Sequence, residues 1–217
     1  EKAQAFSSKY RWFLKMDVRK YFDSIEHNCL KVQLSRLFKD NSLLNYFNIL
    51  IDGYEVEAGR GLPIGNLTSQ YFANHYLAVA DHFAKEKLHV PAMVRYMDDV
   101  VMWGNDKQEL LKQAEMYRSF VENRLKLQLH PLCLNQTYMG MSFLGYVIYP
   151  QYIHLNQRSR ARYNRKIISI DKLVDRGILP QNEGAVRVRS MLSFLNKAQS
   201  ADYLKSRIVR KIKEHSS

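Results

Sequence analysis

Tyr96-Met97-Asp98-Asp99 is the stretch that decides the fold, because two adjacent carboxylates sit between short runs suited to strands. Ala92 to Tyr96 and Val100 to Trp103 are rich in β-branched and aromatic residues, so the aspartates are expected at the tip of a hairpin. A tight turn presents both carboxylates together, and they repel each other unless a cation lies between them. Paired divalent ions held by acidic side chains are what in-line phosphoryl or nucleotidyl transfer needs, at a separation of roughly 3.5–4 Å. Asp pairs are also ordinary turn residues, so these four residues alone do not decide the chemistry.

Two upstream segments do more. Trp12 to Val18 reads as a buried strand carrying Asp17 near its end, and an acid inside an apolar run needs a partner. Tyr21-Phe22-Asp23-Ser24-Ile25 follows where the chain turns towards a helix, with Asp23 or Ser24 placed to cap it. Gly59-Arg60-Gly61-Leu62-Pro63-Ile64-Gly65-Asn66-Leu67-Thr68-Ser69-Gln70 is a Gly-rich loop before a long helix running to Lys87, with Asn66 or Thr68 as its cap. A loop at a helix N-terminus is structural by default and also suits a phosphate or a nucleotide edge.

In order, Lys15-Met16-Asp17 with Tyr21 to Ile25, Gly61 to Gln70, Arg95 to Asp99, and Phe143-Leu144-Gly145-Tyr146 resemble the motifs of a bacterial reverse transcriptase over about residues 10 to 150. The Ile-Gly-Asn-x-Thr-Ser-Gln form of the second motif is most similar to the enzymes of diversity-generating retroelements. The resemblance implies that Asp17, Asp98 and Asp99 are catalytic and bind two Mg²⁺ or Mn²⁺ ions, with the Val18 carbonyl as a further ligand. It places Phe22, five residues after Asp17, as a steric gate against a ribose 2′-hydroxyl. Ile64, Gly65 and Gln70 fall in the nucleotide-binding loop, and Phe143, Leu144 and Gly145 in the grip on the primer end. Ile64 stands where many relatives carry Gln, and an aliphatic side chain donates no hydrogen bond to order the pocket. Lower copying fidelity is therefore expected.

Two departures from the family pattern stand out. Relatives commonly carry a Lys after the stretch equivalent to Leu125 to Leu129, where it can protonate departing pyrophosphate. Here His130-Pro131-Leu132-Cys133-Leu134-Asn135 holds no Lys, and a lone His beside Pro reads as a surface residue. Only sixteen residues precede Asp17, whereas the family's fingers precede it by many tens of residues. The expectation is a piece of a longer polypeptide, with the activity of this span alone left open.

Charge is uneven along the chain of 217 residues, whose formal net charge is +12. From Gln157 onward there are 15 Lys/Arg against 5 Asp/Glu, whereas the first 156 residues hold 18 against 16. Arg158, Arg160, Arg162, Arg165 and Lys166 open this tail, and Arg207, Arg210, Lys211 and Lys213 lie near its end. Helical spacing of Ile167, Ile168, Ile170, Leu173 and Val174, then of Met191 to Leu195, then of Leu204, Ile208 and Ile212 predicts three helices. Gly177 to Gly184, with Pro180, is read as the break between the first two. Basic helices after a polymerase palm suit nucleic-acid phosphates, with binding that weakens steeply in salt.

The remaining spacing predicts helices over 26–38, 41–51, 67–87 and 106–125, the last capped by Asp106. The expected class is α+β: a polymerase palm, an antiparallel sheet with helices on one face, followed by a small helical thumb. The division is 1–156 for the palm with its motif B helix and primer grip, and 157–217 for the basic thumb. Tyr71, Phe72, Tyr76 and Phe83 are expected in the core, and His27, His75 and His82 receive no functional role. No apolar run reaches membrane-spanning length. Two cysteines, Cys29 and Cys133, make neither a disulfide framework nor a zinc site and suit a reducing cytoplasm. The implied activity is RNA-directed DNA polymerisation on an RNA template with a DNA or RNA primer and deoxynucleoside triphosphates. A small basic accessory protein is the implied partner. Alternatives are a group II intron-like or retron reverse transcriptase, or an inactive nucleic-acid-binding fragment of one.

Overall fold

The computed structural model describes residues 1–195, which pack as two compact units: residues 10–135, and residues 1–9 together with residues from 136 onward. The predicted third helix at Leu204, Ile208 and Ile212, and the basic residues from Arg207 to Lys213, lie outside the described residues.

The unit over residues 10–135 is built on a sheet whose strands are β1 (Trp12–Asp17), β2 (Ala92–Tyr96), β3 (Asp99–Gly104) and β4 (Cys133–Gln136), in the order β2-β3-β1-β4. β1 and β2 both run antiparallel to β3. Alternation along β1 and β3 sends Leu14, Met16, Val100 and Met102 into a core shared with the helices that carry Ala73, Leu77, Ala80, Ala114 and Val121. Lys15 and Asp17 fall on the other set of positions. Phe13, Val101 and Trp103 of that set are buried as well.

Helices α2 (Tyr21–Ser24), α3 (His27–Leu37) and α4 (Asn41–Asp52) follow the first strand. Neither Asp23 nor Ser24 caps α3. Ser24 lies inside α2, where its hydroxyl donates to the Arg19 carbonyl, and Glu26 takes the cap by accepting from the Asn28 and Cys29 amides. Asp40 caps α4 in the same way. Helix α5 (Leu67–Glu86) begins at Asn66 as expected, yet the Asn66 side chain makes no capping bond, and Thr68 lies inside the helix. Asp106 does cap α6 (Lys107–Arg124), accepting from the Glu109 amide. Along α5, Phe72 and Tyr76 are buried and Phe83 stacks on Phe120 at 4.3 Å. Tyr71 departs from expectation: it is 69% exposed, on the same helical face as exposed Leu67.

In the other unit, β5 (Met141–Phe143), β6 (Tyr146–Ile148) and β7 (Ile153–Leu155) form an antiparallel meander. Leu144 and Gly145 make the two-residue turn between β5 and β6, both with positive φ, as a hairpin twisted like its strands requires. α7 (Gln157–Asp175) and α8 (Gln181–Leu195) follow, and Leu155, Ile167, Ile170, Leu179, Val188 and Met191 make their core. Ile168, placed in the apolar stripe by spacing, is 40% exposed instead. Gly184 is no part of the break between the helices. It lies within α8, where a Cβ would come 2.7 Å from Val174 Cγ2, so its lack of a side chain lets the two helices approach closely. Helix α1 (Lys2–Lys9) belongs to this unit, and its Ser8 hydroxyl donates to the Pro150 carbonyl.

Among the described residues no helix is long and apolar enough to cross a membrane. Cys29 and Cys133 are free thiols.

Candidate active site

Pairing of β1 with β3 sets Asp17 directly opposite Asp99, and Asp98 belongs to the two-residue turn that precedes Asp99. The three carboxylates, more than eighty positions apart in the chain, are thus gathered at one end of the sheet. Burial raises the proton affinity of Asp17, and the negative charges of Asp98 and Asp99 raise it further, against smaller opposing contributions from His130 and Lys15. Asp98 is likewise pushed above the ordinary carboxylate range, first by burial and then by Asp99. Carboxylates arranged to repel one another in a partly desolvated place form a cation site by their electrostatics.

The hairpin tip is held by a clamp that sequence spacing does not reveal. Met97, the first turn residue, has φ 55°, a left-handed conformation that is uncommon for a side chain of its size and stores strain of about 1–3 kcal/mol. Arg95 Nη1 donates to the Met97 carbonyl at 2.9 Å and to Asn74 Oδ1 at 3.1 Å. Its Nη2 donates to the Asn74 carbonyl at 3.2 Å and to Asp81 Oδ2 at 2.8 Å, and its Nε reaches both oxygens of Asp81 at 2.9 Å. Every N–H of the guanidinium is therefore engaged, and the strained turn is tied to α5 at two points.

Lys15 is the second residue missed. Its Nζ lies 2.9 Å from Asp99 Oδ1, so Asp99 already has a cationic partner, whereas Asp17 and Asp98 have none at that range among the described residues. The signal was present in the alternation Lys15-x-Asp17, which places both side chains on one face of the strand. His130 is exposed, as expected of a surface residue, but its amide donates to the Asp17 carbonyl at 2.8 Å and its charge favours ionised Asp17.

Among the described residues, no three His, Cys, Asp or Glu side chains converge tightly enough to enclose a metal ion by themselves. The donor set still suits Mg²⁺, which is usually held by one or two carboxylates with the rest of its shell from water and substrate phosphates. Asp17 and Asp98 supply hard oxygens of the right kind, and their mutual repulsion is the feature such an ion would relieve.

Next to this site, Phe22 is half-buried and packs on the main core, edge-on to Tyr21 at 5.8 Å. Tyr21 is buried and its hydroxyl donates to the Ala73 carbonyl of α5. The Gly-rich loop is stitched to the same segment, because Gly61 N donates to the Ile25 carbonyl and Leu62 N to the Phe22 carbonyl, each at 2.9 Å. Structure therefore joins Phe22 to the loop that carries Ile64 and Gly65. Ile64 is 78% exposed, Gly65 has φ 103° with open space around its Cα, and Gln70 is exposed on the first turn of α5.

In the unit that carries α7, Leu144 and Gly145 line a cavity of about 520 Å³ with Asn156, Arg158, Arg162 and Arg165. Asn156 links its walls: its amide donates to the Gly145 carbonyl, and its side chain caps α7 by accepting from Ser159 N. Arg160 and Lys166 are exposed on α7 but do not line that cavity, and Phe143 is buried.

Residues 2–148 match the family described as "Reverse transcriptase (RNA-dependent DNA polymerase)". The chain belongs to the reverse transcriptase family. It is 28% identical over 86 residues to the COX1/OXI3 intron 1 protein of Saccharomyces cerevisiae, covering 36% of this chain and 10% of that protein. Telomerase from Candida albicans, solved with a fragment of telomeric RNA, superposes with a TM-score of 0.55 at 15% identity, over 68% of this chain and 31% of its own. Apo telomerase from Candida tropicalis gives 0.54 at 13% identity, over 72% and 35%. At such identity the likeness shows a shared fold of mixed helix and antiparallel sheet. The chain spans about a third of the telomerase chains and a tenth of the intron protein.

Proposed function

We propose that this chain is the palm, with a basic helical thumb from residue 157, of an RNA-directed DNA polymerase that copies an RNA template onto a primer from deoxynucleoside triphosphates. The observation that carries the reading is Asp17 facing Asp99 across β1 and β3, with Asp98 in the adjoining turn. Asp17, Asp98 and the Val18 carbonyl would hold a pair of Mg²⁺ or Mn²⁺ ions. When bound, such ions lower the charge barrier to in-line attack of the primer 3′-oxygen on the α-phosphorus. Arg95 fixes the turn so that Asp98 does not have to be ordered during the reaction. Lys15 holds Asp99 until nucleotide and ion compete for it. Phe22, braced by Tyr21 and the Gly61–Leu62 loop, is the gate against a 2′-hydroxyl.

Leu144 and Gly145, with Arg158, Arg162 and Arg165, bind the primer strand through its phosphates, and Arg160 and Lys166 extend that basic face. Ile64 presents an exposed aliphatic side chain where a hydrogen-bonding one would order the nucleotide. Copying is accordingly error-prone, as in diversity-generating retroelements, where a small basic accessory protein completes the assembly. An Ile64→Gln variant should then misincorporate less, and an unchanged error spectrum would contradict this reading. A second reading, an intron-encoded reverse transcriptase, is favoured by the likeness to an intron protein. An appended maturase or endonuclease domain in the full coding sequence would decide for it. Free thiols at Cys29 and Cys133 suit a reducing cytoplasm.

Primer extension on an RNA template tests the activity, with the longest protein containing this span compared with its Asp98→Asn variant. Loss of more than about a hundredfold is expected from removing one ion ligand. Equal extension by both would leave a nucleic-acid-binding protein without polymerase chemistry.

A further inference from the structure

The unit over residues 10–135 has a second cavity, of about 510 Å³, lined by Arg19, Arg60, Lys126, Gln128 and Glu122. Its position follows from the backbone ladder beside Asp17. Arg19 N donates to the Gln128 carbonyl at 2.8 Å, and His130 N donates to the Asp17 carbonyl at the same distance. Arg19 is thus one side-chain repeat beyond Asp17, and Gln128 one repeat beyond His130. Val18, Leu127 and Leu129 are buried in the core, while the alternating Arg19, Lys126 and Gln128 are exposed. Arg60 is brought in by the Gly-rich loop, through a backbone bridge to Glu26 and the bond from Gly61 N to the Ile25 carbonyl.

Charge in this cavity is unbalanced. Among the described residues, none of Arg19, Arg60 and Lys126 has a carboxylate within 4.0 Å. Glu122, the acid in the lining, is engaged by Arg118 Nε at 3.3 Å. Three cations converging on a concavity without counter-charge focus a positive potential into it. Two guanidinium forks, an ammonium and the Gln128 amide offer donors suited to the crowded oxygens of a compact polyanion.

We propose that this cavity is a diphosphate subsite. It takes the β,γ-phosphates of the incoming nucleotide or the pyrophosphate that leaves. The proposal rests on the polymerase reading and deepens it. Nucleotidyl transfer forms the O3′–Pα bond and breaks the Pα–O–Pβ bond, so the electron pair and its charge depart with the diphosphate. The 3′-hydroxyl proton goes to solvent. A basic cavity one repeat from Asp17 receives that charge from the palm itself. It also accounts for a chain whose His130 to Asn135 segment carries no lysine, because Lys126 and Arg19 supply the positive charge on the adjoining strands.

Calorimetric titration of the 217-residue chain with inorganic pyrophosphate, in EDTA and without divalent ions, tests the subsite. The chain should bind, and an Arg19→Gln/Lys126→Gln variant should bind at least about tenfold more weakly, from the loss of two charge-assisted contacts. Both positions are exposed, so the variant should unfold as the parent does. Asp98→Asn should bind pyrophosphate undiminished, which separates this result from any failure of the polymerase reading in primer extension. A deoxynucleoside triphosphate that competes assigns the subsite to the nucleotide tail, and one that does not assigns it to the released product. Either supports the proposal. Equal pyrophosphate affinity in parent and double variant, no binding by the parent, or a loss confined to single-stranded oligonucleotide would overturn it.

Discussion

Replacing Arg95 by Lys keeps the charge but removes the fork, and the clamp makes the consequence calculable. The Arg95 and Asp81 side chains are only 12% and 24% exposed, so solvent screens their contact little. Lysine can follow Asp81, but its single ammonium cannot also reach the Met97 carbonyl and both Asn74 oxygens. At least one charge-assisted hydrogen bond is then lost, at about 1.5–3 kcal/mol, and the strained Met97 turn loses its tether. We expect Arg95→Lys to destabilise the unit by about 2 kcal/mol, which is about 4–8 °C in Tm for a chain of this length. Arg95→Met leaves Asp81 half-stranded and should cost about 3 kcal/mol, the low end for breaking a buried pair because Asp81 can partly rehydrate. Urea unfolding followed by tryptophan fluorescence reads this unit alone, since both tryptophans, Trp12 and Trp103, lie in it. A double-mutant cycle with Asp81→Asn should return a coupling energy of about 2 kcal/mol. If Arg95→Lys unfolds within about 0.5 kcal/mol of the parent, as an ordinary surface substitution does, the clamp does not hold the hairpin.

Asp17 and Asp98 have proton affinities raised above their unfolded values, so each weakens the fold as pH rises through the ordinary carboxylate range and beyond. In metal-free buffer at neutral pH, Asp98→Asn should therefore gain stability, by about 0.2–1 kcal/mol as for like charges placed together on a sheet, with the gain vanishing at low pH. Chemical denaturation at several pH values checks both the sign and the pH trend. Gly184→Ala should destabilise the α7–α8 pair by about 1 kcal/mol, because a methyl meeting Val174 Cγ2 at 2.7 Å outweighs the better helix propensity of Ala; thermal unfolding by circular dichroism reads it. Arg162→Gln/Arg165→Gln should weaken duplex binding across all sequences and lower the salt-dependence slope by about 2, measured by fluorescence anisotropy at several salt concentrations.

Local signals placed most of the fold. The apolar runs at Trp12 and Ala92 and the turn chemistry at Met97 set the strands, and 3.6-residue spacing set α5, α6 and α7 within a residue or two. What stayed hidden depends on partners far apart in sequence. Glu26 capping α3 was obscured by the more usual caps Asp23 and Ser24 just before it. Gly184 reads as a helix breaker until Val174 is seen packed against it. In the candidate site the three aspartates were legible from motif order. The Lys15–Asp99 pair and the fork from Arg95 to Asp81 follow from strand register and helix docking. A solitary arginine within an apolar strand was nonetheless a clue, since a charge so placed must find an opposite charge. The cavity around Arg19 needs the ladder between Arg19 and Gln128, which no spacing rule supplies.

Cation binding is the claim on which the account stands, and Mn²⁺ titration of the 217-residue chain, followed by electron paramagnetic resonance, tests it directly. The parent should bind Mn²⁺, and Asp17→Asn and Asp98→Asn should each weaken binding by at least about tenfold, the effect expected when a carboxylate ligand becomes an amide. Binding that is absent from the parent, or unchanged in both variants, would contradict the assignment of these carboxylates as the ion site.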